Sequence, residues 1–139
     1  MEISKIQKIC DYLIARAEPA YNENCGQCAK RVREAVEFAI SPKKIDHVIS
    51  AKDYGPSYEK AGFRKVFCYP GNNKKEYKPE IGDIAIINYD PHGHICVFVE
   101  GEQPKSGKKI KCWVSDFIQK DMYGGKIRLK DPSFSIYRF

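Results

Sequence analysis

The stretch Gly93-His94-Ile95-Cys96-Val97-Phe98-Val99-Glu100 decides how the chain folds. Behind the turn Pro91-His92-Gly93, it is an unbroken run of β-branched, aromatic and small apolar residues with no helical stripe, the pattern of a strand. Similar short runs rich in Val, Ile, Phe and Tyr occupy 63–69, 83–88, 111–117 and 134–139. Gly, Pro, Asn and Lys separate them, as in Pro70-Gly71-Asn72-Asn73. This pattern predicts five strands in a mainly antiparallel sheet.

Upstream, the period changes. Ile3, Ile6, Ile9, Cys10, Leu13, Ile14 and Ala17 recur at spacings of three and four, which predicts an amphipathic helix that Pro19 ends. Cys28, Val32, Ala35, Val36 and Ala39 form the stripe of a second helix, with Lys30, Arg31, Arg33, Glu34 and Glu37 on its other face. Asn24 and Gly26 are its expected caps, and Ser41-Pro42 closes it. Residues 43–62 read as loop and short helix. Helices first and strands afterwards imply an α+β fold with N-terminal helices packed on the sheet, one layer of each. The 139 residues suit a single domain, 1–139, acting as a monomer.

Composition narrows the function. Apolar residues at 42% and charged residues at 30% exclude wholesale disorder. A net charge of +6 favours anionic partners. The lysines at 43, 44, 74, 75, 108, 109 and 111 are dispersed over loops with no nucleic-acid motif, so a nucleic-acid partner is not expected. No run approaches a membrane span, and charges at Glu2, Lys5, Lys8, Asp11 and Arg16 break any signal-peptide core. The expectation is synthesis in the cytoplasm without a signal. Six cysteines permit disulfides without requiring them.

Cys25-Gly26-Gln27-Cys28 suits a metal or a redox cycle. Zinc would need two more ligands, and only the scattered His92, His94, Cys96 and Cys112 are available. A thioredoxin-type site would have a strand ahead of the first cysteine. Two half-buried thiols at a helix start is the plainest reading. The sharper reading uses Cys28 alone, in the first helical turn, where unpaired N–H groups and the dipole lower a thiol pKa. The stripe of Val32 and Val36 turns it toward the sheet. His94, at a strand start beside a turn, is placed to serve as its base. His92 reads as a turn residue and His47 as a surface histidine. Alternation places Val114 and Asp116 on one strand face, so Asp116 is the candidate to orient His94, with Asp83 the rival carboxylate.

Taken together, Gly26-Gln27-Cys28-Ala29-Lys30-Arg31-Val32, Gly82-Asp83-Ile84-Ala85-Ile86, Gly93-His94-Ile95-Cys96-Val97-Phe98 and Trp113-Val114-Ser115-Asp116-Phe117 resemble the NlpC and CHAP superfamily of papain-like cysteine peptidases and amidases. The resemblance covers about 24–139 and is closest to compact enzymes such as type VI secretion amidase effectors and phage lysins. It implies a peptidoglycan hydrolase that cuts an amide of the stem peptide, with Cys28 as nucleophile, His94 as general base and Asp116 as the third residue. It implies a thioester intermediate, no cofactor or metal, an oxyanion held by helix-start N–H groups, and delivery by a secretion system or lysis. An effector of this kind would have a cognate immunity protein. The competing expectations are a basic binding module for an anionic polymer and a metal or redox protein built on Cys25 and Cys28.

Overall fold

A computed structural model describes residues 3–23 and 25–139. Helix α1 (Ile3–Arg16) and helix α2 (Cys28–Ile40) come first, followed by the short α3 (Gly55–Lys60). The strands are β1 (Arg64–Tyr69), β2 (Ile84–Asn88), β3 (His94–Glu102), β4 (Lys109–Val114), β5 (Ile118–Gln119) and β6 (Ser133–Arg138). All pairs in the sheet are antiparallel, in the order β1-β6-β2-β3-β4-β5. The fold is α+β. Among the described residues no helix is long and apolar enough to cross a membrane.

The apolar stripes do what their spacing dictates. Ile9, Cys10, Leu13 and Ile14 of α1 and Val32, Ala35 and Val36 of α2 are buried against Ile84, Ile86, Ile95, Val97 and Val99 of the central strands. Each such side chain contributes roughly 1.5–3 kcal/mol when fully buried. The opposite sheet face is not left open, as two simple layers would leave it. Ala85, Cys96, Trp113, Phe134 and Ile136 lie beneath Tyr77, Met122 and Tyr123 from the connecting segments. Phe67 and Tyr69 stack on Phe134 within this aromatic layer.

Two expectations need correction. The sheet has six strands rather than five, and the run 111–117 does not continue to Phe117. It leaves the ladder after Val114, folds back through Ser115 N–H donating to the Phe117 carbonyl (3.1 Å), and forms the two-residue β5. The cause is a competing partner. Glu18, just past α1, donates its N–H to the Asp116 carbonyl and accepts from Ile118 N–H, both at 2.9 Å. That pairing draws 115–118 away from β3, so strand alternation does not govern Asp116.

α2 ends at Ile40 before Ser41-Pro42, as its sequence requires. At its start, Gln27 is the capping position and supplies no side-chain bond. Asn24, the other expected cap, lies outside the described residues. Asp83 is fully buried at the foot of β2. Arg138 Nε and Nη2 grip its two oxygens at 2.7 and 2.9 Å, while Tyr77 Oη and Glu80 N–H donate at 2.8 and 3.0 Å. The rival carboxylate is therefore a clamp between β2 and the C-terminal strand.

Candidate active site

α2 begins with Cys28 because the chain before it is held by a carboxylate. Asp116 Oδ2 accepts from the backbone N–H groups of Gly26 and Gln27 at 2.8 and 2.7 Å. Both N–H groups converge because Gly26 takes a φ of 114°, a conformation open to glycine. Ser115 Oγ shares its single proton between Oδ1, at 3.2 Å, and Gln119 Oε1, at 2.7 Å. Asp116 is thus an anchor for the loop that leads into Cys28, buried yet fully hydrogen-bonded.

The first helical turn leaves its own N–H groups free of helical partners, because the first such bond is Arg31 N–H to the Gln27 carbonyl at 2.9 Å. Those of Cys28 and Ala29 act on the Cys28 sulfur, as does the N–H of Ile95 on β3. The sulfur therefore lies against the residue that follows His94. Burial pushes the thiol up to about 11, and the Asp116 charge adds to the rise, so these donors and the helix start are outweighed. The expected lowering of the Cys28 pKa is reversed because the sulfur faces the core side of the cleft.

His94 is buried at the start of β3. Its orienting partner is not Asp116. Nε2 is 2.9 Å from Oε1 of Gln119 on β5. The Gln119 amide is fixed in this sense, because its Nε2 donates to the Asp121 carbonyl at 2.9 Å and its Oε1 accepts from Ser115 Oγ at 2.7 Å. An oxygen facing Nε2 requires a proton there, which leaves Nδ1 as the basic nitrogen. Burial lowers the His94 pKa below the ordinary imidazole value, with Gln119 and the charge of Asp116 opposing. Near neutral pH the site therefore holds a neutral thiol and a neutral imidazole.

The remaining walls keep the ring in place. Phe117 lies 6.1 Å from it, centroid to centroid, and Tyr21 meets the Phe117 edge at 5.4 Å. Gly124 covers the Nε2 side, where an added Cβ would come within 3.0 Å of that nitrogen. Cys28, His94 and Asp116 all line one cleft of about 510 Å³. His47, Val48, Ile49, Tyr89 and His92 also line it. His47 and His92, read from sequence as surface and turn residues, are both on this cleft. His92 Nδ1 is 2.7 Å from Ser50 Oγ.

Cys25 accompanies Cys28 in sequence but does not line the cleft, and its thiol donates to Asn22 Oδ1 at 3.7 Å. All six cysteines are free. Among the described residues no three His, Cys, Asp or Glu side chains converge as a metal site would require. Gln119 and Gly124 were missed by sequence reasoning. The single polar residue closing Phe117-Ile118-Gln119 and the pair Gly124-Gly125 were the available signals.

No protein-family model matches the chain, and no curated protein matches it. Two solved structures do. The native crystal structure of the type VI effector-immunity complex Tae3-Tai3 from Ralstonia pickettii matches at 30% identity and a TM-score of 0.72, covering 97% of this chain and 98% of that one. The selenomethionine form of the same complex matches at 30% identity and 0.69, covering 94% and 98%. With that identity along nearly the whole of both chains, the chain belongs to the family of the type VI effector Tae3.

Proposed function

We propose that this chain is a cysteine amidase that hydrolyses an amide bond in the peptide of peptidoglycan, as the NlpC and CHAP resemblance implies. The supporting observation is the tautomer: a Gln119 oxygen on His94 Nε2 leaves Nδ1 unprotonated in the cleft that also holds the Cys28 thiol. The Cys28 proton passes to His94 as the sulfur attacks the amide carbonyl, since both groups start neutral. A thioester forms and the C–N bond breaks, with the imidazolium proton going to the leaving amine. His94 then takes a proton from water, which hydrolyses the thioester and returns the proton to sulfur.

The oxyanion hole is narrower than a free helix start would provide. Gly26 and Gln27 N–H groups are consumed by Asp116, so the donors are those of Cys28 and Ala29. Asp116 acts by holding this loop rather than by orienting the imidazole. The basic excess of +6 assists encounter with an acidic wall polymer.

The reading extends to biology through the relatives. As one domain and one monomer, the chain would be an antibacterial effector delivered by a type VI apparatus, with an immunity protein guarding its producer. Incubation of the protein with purified sacculi, followed by mass identification of released fragments, tests the activity. Amide-cleaved peptides with wild type and none with His94→Ala are expected. Intact sacculi with both would overturn the reading.

A further inference from the structure

The cleft carries more cationic and N–H-donating groups than the amide chemistry uses. Lys30 and Arg33 line it from α2, and His92 lines it from the turn before β3. The one carboxylate in the lining, Asp116, has its oxygens committed to Gly26, Gln27 and Ser115. Arg33 Nη1 rests on Glu37 at 3.3 Å, while its Nε is buried without an acceptor.

His92 is fixed as a surface histidine need not be. Ser50 is buried, and its hydroxyl faces His92 Nδ1 at 2.7 Å. This bond occupies Nδ1 of the ring and leaves Nε2 as its unoccupied nitrogen. The His92 carbonyl also accepts from Lys52 N–H at 2.9 Å, which locks the 90–93 turn to the 50–53 segment. His92 is therefore a held imidazole in the cleft lining, with Nε2 left for a ligand.

From this arrangement we infer that Lys30, Arg33 and His92 form a carboxylate-reading subsite beside Cys28. The enzyme accordingly selects a peptide with a free carboxylate near the scissile amide. The inference rests on the amidase reading and names the feature of the substrate that the cleft recognises. Two separate elements contribute, α2 and the turn before β3, so a carboxylate held by both would orient the peptide in the cleft that holds Cys28.

Soluble muropeptides released by a muramidase, used as such and after conversion of their carboxyl groups to carboxamides, provide the test. With free muropeptides, Lys30→Gln and His92→Gln should each lower kcat/KM about tenfold, mainly through KM, as loss of a charge-assisted bond does. Wild type should lose a similar factor on the amidated muropeptides, and the variants should fall no further there. Equal losses on both substrates, or a wild type indifferent to amidation, would overturn the subsite and leave the amidase reading standing. Failure of wild type to cleave either substrate would overturn both.

Discussion

Two carboxylates, Asp83 and Asp116, are buried among the described residues, and they are neutralised in opposite ways. Asp83 meets the Arg138 guanidinium through two parallel bonds and gains Tyr77 and Glu80 as further donors. Asp116 has no cationic partner among the described residues and is held by two backbone N–H groups and one hydroxyl. The first arrangement joins a strand to the C-terminal strand and leaves nothing to do. The second sets the loop from which Cys28 projects, and leaves a negative charge close enough to raise the thiol pKa. Removing an acid from a buried ion pair strands the partner's charge, whereas removing one held by main-chain donors releases the loop that carries those donors.

The largest expected effect separates these roles. Asp83→Ala leaves Arg138 without its partner and should destabilise the protein by about 3 kcal/mol. Denaturant unfolding would measure it, and activity per folded molecule should be retained. Gln119→Ala should do the reverse. The fold stays within reach of wild type, but His94 loses the acceptor that fixes its tautomer, so kcat should fall about 100-fold. A Gln119→Ala enzyme with normal kcat would return the orienting role to Asp116.

Asp116→Asn comes next. Weakening two charge-assisted bonds should remove about 2 kcal/mol of stability. Loss of the negative charge should also lower the Cys28 thiol pKa from about 11, read from the pH dependence of alkylation. An unchanged thiol titration would detach Asp116 from the site. The smallest effect concerns pH. Because burial lowers the His94 pKa, the acid limb of kcat/KM should have its midpoint below 6.5. In Asp116→Asn that midpoint should move lower still, since the Asp116 charge supports the imidazolium.

The helices and most strands were legible because burial imposes periodicity. Val32, Val36 and the run Ile95 to Val99 can satisfy their apolar surface in one way only. Cys28 and His94 were legible for a related reason, since a helix start and a strand start each fix where a side chain points. The placement of Asp116 was not legible because its strand ends at Val114, two residues before it. That break depends on Glu18, almost a hundred residues away, whose main-chain bonds leave no local trace. Gln119 was missed for the same reason, as β5 exists only once the chain has turned back. The His92 placement rests on Ser50 across a loop, a contact that no spacing encodes.

The central claim is that one sulfur, and not its sequence neighbour, performs the attack. It is tested most directly by the rate of amide cleavage of soluble muropeptides by Cys28→Ala and Cys25→Ala proteins, each verified as folded. The account predicts no cleavage above background for Cys28→Ala and a rate within about twofold of wild type for Cys25→Ala, whose thiol lies outside the cleft. Cleavage by Cys28→Ala at the wild-type rate would contradict it.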